Sequence, residues 1–204
     1  MNTQTAIRKG RKFDQVLEGA RKVFMADGFE GASVDDIARA AGVSKATLYS
    51  YFPDKRLLFM EVATTECCRQ SDQAPQNIDM TGSPRSVLDQ IGRAFLRFIS
   101  SKFGLQIFRL CVAEGDRFPD LAQAFFESGP MMMQRKMSDY FRQAIDRGEL
   151  QIEDLELAAS QFAELCKADL WTQLVFGVTQ ELSEDDIDRV IEGAVDTFLA
   201  RYGT

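Results

Sequence analysis

The sequence predicts an all-α fold in two parts, a small helix-turn-helix unit followed by a larger helical domain. Apolar residues recur at helical spacing in one segment after another, and serine, aspartate, proline and glycine stand where helices would begin and end. No stretch has the pattern of a strand. The chain has 204 residues and is 45% apolar, which is enough for a buried core. We therefore expect an N-terminal three-helix domain over residues 1–54 and a C-terminal helical domain over residues 55–204.

The first helix is predicted over residues 11–27. Its apolar residues repeat at the spacing of one helix face, and Gly28 is expected to end it. This face needs partners, and the two helices that follow are the nearest ones, so the first domain is expected to be a three-helix unit. The residues of the face are Phe13, Val16, Leu17, Ala20, Val23 and Phe24.

Residues 33–52 carry two helix starts about ten residues apart with a glycine between them. Ser33 can cap the first helix, and Gly42 can end it in the left-handed conformation. Ser44 can cap a second, short helix over residues 45–52. This spacing predicts a helix-turn-helix. The outward side chains of the second helix are hydroxyls, phenols and one lysine, which suit contact with phosphate groups and base edges.

A fourth helix is expected after Pro53, with Asp54 as its cap and Lys55 in its first turn. The dipole at a helix start favours an anion, so a lysine there gains nothing from it. We therefore expect an external anion as the partner of Lys55. This helix is predicted over about residues 55–69 and connects the two domains, and residues 70–84 are predicted to form a surface loop.

The charge is distributed unequally along the chain. Residues 1–60 contain ten Lys/Arg and seven Asp/Glu, a net +3, whereas residues 61–204 contain fourteen and twenty-four, a net −10. The local field matters more for nucleic-acid binding than the total of −7. Four cations near the start could form a basic arm that contacts backbone phosphates or enters a minor groove. They are Arg8, Lys9, Arg11 and Lys12.

The second domain is predicted to contain further helices with proline starts and glycine ends. One is expected to begin at Pro84 and to end at Gly104, and three more are expected over residues 105–114, 119–129 and 130–147.

Residues 154–176 and 183–202 are the last two predicted helices. The first is apolar nearly all round, which is more apolar surface than a small domain can cover, and the second carries an unbroken apolar stripe. Pairing with the same helices of a second copy would form a four-helix bundle. Packing entirely inside one chain is the alternative. The predicted dimer interface consists of Leu155, Phe162, Leu170, Leu174, Val190, Ile191, Ala194, Val195, Phe198 and Leu199.

Phenylalanine and methionine are dense between residues 95 and 141. Most of these side chains must be core, but methionine adapts to irregular space, so they could also line a cavity for a small apolar or amphipathic effector. Polar groups among them could orient a ligand or form internal ion pairs. The predicted pocket residues are Phe95, Phe98, Phe108, Arg109, Cys111, Phe126, Met133, Met137, Phe141, Phe162 and Trp171.

Several functions are excluded by what the sequence lacks. The chain contains no histidine, and its four cysteines include no C-x-x-C pair, so neither a zinc site nor a histidine-based catalytic triad is expected. We expect no enzyme activity, no metal and no cofactor, and we expect the cysteines to be structural. No run of about 18 apolar residues occurs and no signal peptide is recognisable, so a cytoplasmic protein without a membrane partner is expected.

Residues 28–61 resemble the DNA-binding domain of TetR-family transcriptional regulators. The similarity covers the Gly-Phe turn, the Ile-Ala pair, the Ala-Gly-Val-Ser turn, the Leu-Tyr-x-Tyr-Phe helix and the lysine after it. Residues 109–127 are similar to the AefR-type ligand domain of the same family. In that family the last two helices form the dimer interface.

The resemblance implies a homodimeric, ligand-responsive regulator, a repressor rather than an activator, that binds a pseudo-palindromic duplex operator. It also implies which side chains meet the DNA. Ser33 stands where the family often has threonine, and Tyr51 where many members have histidine. Two alternatives remain, namely a DNA-binding protein without an inducer and a helical carrier or enzyme that has lost DNA binding. The implied phosphate contacts are Ser33, Ser44, Tyr49, Tyr51 and Lys55, and the implied major-groove contacts are Lys45, Ala46 and Thr47.

Overall fold

The structure is a computed structural model that describes residues 10–204, apart from the side chains of residues 70–77 and of residue 121. Within this range the backbone forms no sheet, and the prediction of an all-α fold is confirmed. None of the helices in this range has the length and hydropathy that a bilayer span requires. The helices are α1 (Arg11–Gly31), α2 (Val34–Ala41), α3 (Lys45–Tyr51), α4 (Lys55–Asn77), α5 (Pro84–Ser100), α6 (Lys102–Glu114), α7 (Pro119–Ser128), α8 (Pro130–Asp146), α9 (Leu155–Leu165), α10 (Leu170–Val175) and α11 (Glu184–Tyr202).

The helix boundaries predicted from the caps Ser33, Gly42 and Ser44 are confirmed. The hydroxyl groups of Ser33, Ser44 and Ser183 each accept the backbone N–H three residues further on. Gly42 has a φ of 65°, the left-handed conformation that ends α2. Gly28 has a φ of 76°, so the regular part of α1 ends there and a short turn follows.

Two hydrophobic cores organise the molecule. The first combines α1–α4 with the side chains of Phe103, Ile107 and Leu110 from α6. The second combines α5 with α8–α11. Helix α6 therefore packs into the core of the N-terminal domain, although it lies in the segment assigned to the C-terminal domain.

Helix α4 extends to Asn77, eight residues beyond the predicted end at residue 69. The loop predicted over residues 70–84 is therefore reduced to residues 78–83. The glutamine, serine and aspartate residues after Arg69 favoured a loop, but polar side chains alone do not end a helix, and the backbone continues as α4 through them. Pro75 lies two residues before the end of α4, so the helix ends soon after the position at which proline removes a backbone hydrogen bond.

Two further helix boundaries differ from those predicted. Ser101, not Gly104, separates α5 from α6, because the Ser101 hydroxyl accepts the N–H of Gly104 at 3.0 Å and caps α6. Residues 154–176 form two helices instead of one, since Asp169 has a φ of 66° and a ψ of −47° between α9 and α10. This is a γ-turn, a rare and strained conformation, in which the N–H of Leu170 donates to the carbonyl group of Ala168 at 2.8 Å. Arg189 donates to Asp169 Oδ2 at 2.7 Å.

Nine of the ten side chains assigned to the dimer interface lie in or against the second core of the same chain, and the tenth, Leu174, is buried outside that core. Eight of the ten are at most 6% exposed, and the other two, Leu155 and Leu199, pack against the same core. They are covered because α11 packs between α5 and α9. A second copy could contact only the opposite faces of these helices, where Leu157 is 51% exposed and Gly193 borders open space.

The predicted pocket residues do not line a common cavity. Met137, Phe141 and Phe162 are at most 1% exposed in the second core. Phe95 and Met133 are partly buried and pack against this core. The other members are dispersed. Phe126 is 56% exposed, Cys111 packs against the first core, and Arg109 donates to the carbonyl groups of Leu174 and Val175. Two surface depressions lie elsewhere, between α5 and α11 and between α1 and α2.

Candidate nucleic-acid interface

Helix α3 is held by its inward side chains and presents its other face to solvent. Leu48 and Phe52 are 1% and 5% exposed and belong to the first core. Helix α2 supports α3 and lies against α1 at the point where Gly19 faces Ala41. A Cβ added to Gly19 would lie 2.6 Å from the backbone of Ala41, so only glycine permits this approach.

The outward face of α3 brings together most of the predicted contact residues. Lys45, Ala46 and Tyr49 are exposed, whereas Thr47 and Tyr51 are half-buried. The Tyr51 ring packs edge to face on Phe13 with 5.7 Å between centroids. This packing limits the positions that the phenol group can reach.

The predicted contact groups at the helix starts already have partners within the chain. The Ser33 hydroxyl donates to Asp36 Oδ2 at 2.5 Å, and this bond, followed in importance by the Arg39 guanidinium, lowers the pKa of Asp36. The Ser44 and Thr47 hydroxyl groups share a hydrogen bond of 2.9 Å. A phosphate at either cap would therefore have to compete with these bonds or accept from backbone N–H groups.

Lys45 forms an ion pair with Asp35 of α2. Both side chains are 56% exposed, so the pair is screened by water and adds little stability. The Lys45 ammonium group can therefore exchange its carboxylate partner for a DNA phosphate or a base edge at small cost.

The partner predicted for Lys55 is corrected by the structure. Its ammonium group donates to the carbonyl oxygens of Phe29 at 2.9 Å and Ala32 at 3.1 Å, and it lies 4.4 Å from the centre of the Phe29 ring. Two of its three N–H groups are thus used to close the end of α1. Those carbonyl groups are more than twenty residues away in sequence, so local reasoning at the start of α4 could not identify them.

We predict that Lys55→Met lowers the free energy of unfolding by about 2 kcal/mol, because two half-buried carbonyl groups lose a charged donor. Lys45→Met is the control and should cost less than about 1 kcal/mol, since its ion pair is exposed. Urea unfolding of both variants at one protein concentration checks this. Equal losses for the two lysines would contradict the assignment of Lys55 as a structural cap.

The basic arm is only partly within the described residues. Arg8 and Lys9 lie outside them. Arg11 and Lys12 are exposed in the first turn of α1, so half of the predicted arm is helical.

Sequence reasoning overlooked Arg56 and Gln106, which attach the helix-turn-helix unit to α6. The Arg56 guanidinium binds Asp54 and reaches Glu114, and the Gln106 side chain meets the turn after Gly28. Bonding from Arg56 lowers the pKa of Asp54. Only the Asp54-to-Arg56 spacing is visible locally, because Gln106 and Glu114 are remote in sequence.

Two family models match the chain. The model described as bacterial regulatory proteins, tetR family, covers residues 16–62. The model described as AefR-like transcriptional repressor, C-terminal domain, covers residues 86–204. The HTH-type transcriptional repressor AcnR of Corynebacterium efficiens is 31% identical over 77 residues, 38% of this chain and 41% of that repressor. The chain therefore matches about two fifths of the length of this relative.

Solved structures of regulators are similar to this chain over nearly its whole length. A TetR-family transcriptional regulator from Mesorhizobium loti superimposes with a TM-score of 0.73 and 28% identity, covering 100% of both chains. The flavonoid-responsive regulator FrrA has a TM-score of 0.65 and 33% identity, covering 96% of this chain and 98% of its own. Because the AefR-like model spans more than half of the sequence and the helix-turn-helix precedes it, the chain belongs to the TetR family of bacterial transcriptional regulators.

Proposed function

We propose that the protein is a homodimeric transcriptional repressor that binds a pseudo-palindromic operator in the cytoplasm and releases it when a small apolar or amphipathic effector binds. The observation that carries this proposal is the exposed polar face of α3, fixed from behind by Leu48. Two such helices related by a two-fold axis would enter successive major grooves about 34 Å apart.

Contacts to DNA divide into two groups in this proposal. The hydroxyl and backbone N–H groups at the starts of α2 and α3 and the phenol groups in the second half of α3 contact phosphates, and the first turn of α3 meets the base edges. Lys55 takes part only through its remaining N–H group. The phosphate contacts are Ser33, Ser44, Tyr49, Tyr51 and Lys55, and the groove contacts are Lys45, Ala46 and Thr47.

The experiment that tests this function is a selection of bound duplexes from a random library, followed by a gel-shift titration. An inverted repeat with half-sites about one helical turn apart is the expected result. If no duplex is retained above background at low salt, the proposal that this chain binds DNA is contradicted.

The dimer forms, in our proposal, through the solvent-facing sides of α9 and α11 instead of their buried faces. Gly193 lies on such a side, and a Cβ added there would meet no atom within 4 Å. A long side chain at this position would keep two α11 helices apart without disturbing its own chain.

We predict that Gly193→Arg raises the dimer dissociation constant at least about tenfold, since helices in a bundle pack with axes only 8–10 Å apart. Because glycine is a poor helix former, the substitution should not lower the helicity of the chain. Sedimentation equilibrium measures the change. Ala26→Arg, at an exposed small residue of α1, is the control and should leave the dissociation constant unchanged. An unchanged dimer in Gly193→Arg would exclude this face.

In this proposal the effector binds next to aromatic side chains that link the helices of the two hydrophobic cores. Phe108 and Trp171 are half-buried and pack edge to face with 5.0 Å between centroids, joining α6 to α10. The relative FrrA is named as flavonoid-responsive, which supports a planar amphipathic effector. A hundredfold release of DNA requires that the effector prefers the non-binding state by about 2.7 kcal/mol.

A regulator without an inducer is the second candidate, and the burial of Met137, Phe141 and Phe162 favours it. The two candidates differ in a ligand screen. Under the main proposal, a planar amphipathic compound raises the melting temperature and weakens the gel shift together.

A further inference from the structure

Helix α6 is attached to the DNA-binding unit at two points that are far apart along its length. Gln106 lies in its second turn and Glu114 at its last residue, a separation of about 12 Å along the axis. Between them, Ile107 and Leu110 are buried in the first core.

The first attachment is a fit between Gln106 and the turn that follows Gly28. The backbone N–H of Phe29 donates to Gln106 Oε1 at 3.0 Å, across 77 positions of sequence. Gly28 is buried with a φ of 76°, and a Cβ there would lie 2.3 Å from Gln106 Nε2. The glycine thus leaves the space that the glutamine amide fills, and the amide satisfies a backbone donor that the turn exposes.

The second attachment is an ion pair between α4 and α6. Arg56 Nη1 lies 2.9 Å from Glu114 Oε2, and both side chains are 22% exposed. The same guanidinium group binds both carboxylate oxygens of Asp54, at the cap of α4, and lies 5.1 Å from the centre of the Phe118 ring. These partners hold Arg56 in one orientation, so the link to Glu114 is rigid.

We propose that Gln106 is a positioning residue that fixes the orientation of the helix-turn-helix on α6, with the Arg56–Glu114 pair as the second fixed point. The inference rests on the proposed function, because orientation matters only if two recognition helices must match one operator spacing. The apolar contacts of Ile107 and Leu110 hold the two parts together but are not directional, whereas the two polar contacts fix their relative orientation. Loss of the Gln106 bond loosens that orientation at one end of α6, so the preference for one half-site spacing falls.

The test compares operators of different spacing. The wild-type dimer is titrated with its selected duplex and with the same duplex carrying one base pair inserted at the centre, and the ratio of the two affinities is expected to be at least about tenfold. In Gln106→Met, which keeps the side-chain length but cannot accept the Phe29 N–H, this ratio should fall at least about threefold. Gln106→Glu keeps an acceptor oxygen and should retain the wild-type ratio.

An unchanged ratio in folded Gln106→Met overturns the inference, whether or not the overall affinity falls, because a merely structural role would weaken both duplexes equally. If Gln106→Met does not fold, Glu114→Gln is measured in its place. It weakens the second fixed point, and an unchanged ratio there overturns the inference in the same way. Failure of the wild type to select any palindrome is a different result, which contradicts the proposed function itself.

Discussion

Lys45→Glu is expected to lower the affinity for the operator by about a hundredfold or more at physiological salt. Lys45 is 56% exposed in the first turn of α3, and its present partner is only an exposed carboxylate. The substitution changes the charge by two in each subunit and places a carboxylate where the proposal puts DNA. It also places the new carboxylate beside that of Asp35, so no ion pair within the chain offsets the lost attraction to DNA.

Fluorescence anisotropy titration of a labelled operator measures this loss. The matched control is Arg135→Glu, which makes the same change in charge at an exposed position of α8 and should alter the affinity by less than about twofold, because distant charges are screened. Both variants should have the same midpoint of urea unfolding as the wild type, so that a loss of affinity is not a loss of folding. Equal affinities for Lys45→Glu and Arg135→Glu would remove α3 from the interface.

Gly19→Ala is expected to lower the free energy of unfolding by about 2–3 kcal/mol, although alanine favours a helix over glycine by about 1 kcal/mol. The new Cβ would lie 2.6 Å from the N, Cα and Cβ atoms of Ala41. Two of these are backbone atoms, so the contact cannot be relieved by a rotamer change. Helix α2 must move away from α1, and α3 moves with it.

Gly193→Ala is the control, because it adds the same atom to another helix interior where a Cβ meets nothing within 4 Å. It should leave the stability unchanged or raise it by less than about 1 kcal/mol. Urea unfolding gives both values, and the operator affinity of Gly19→Ala should fall as well. Equal stability of the two variants would show that the close approach of α1 and α2 is not required.

The helix-turn-helix could be predicted because its determinants are local. Ser33, Gly42 and Ser44 set the ends of α2 and α3 through bonds to residues at most four positions away. The periodicity of Leu48 and Phe52 gave the buried face directly. These features depend on backbone geometry that any chain with these residues would adopt.

The dimer face, the pocket and the long-range contacts could not be predicted, because they depend on which helices pack against one another in the folded chain. The apolar stripe of α11 showed that a face is buried, but not that α5 and α9 of the same chain cover it. A high density of phenylalanine and methionine likewise does not distinguish a filled interior from an empty one. The carbonyl partners of Lys55 and the contact of Gln106 with Phe29 arise only when remote segments meet.

The claim that this chain reads DNA as a symmetric pair is tested most directly by native mass spectrometry of the protein with its selected duplex. Two chains on one duplex are the predicted result, and scrambling one half-site should remove the complex at the same protein concentration. A single chain bound to an intact duplex, or a complex that survives loss of a half-site, would contradict the account.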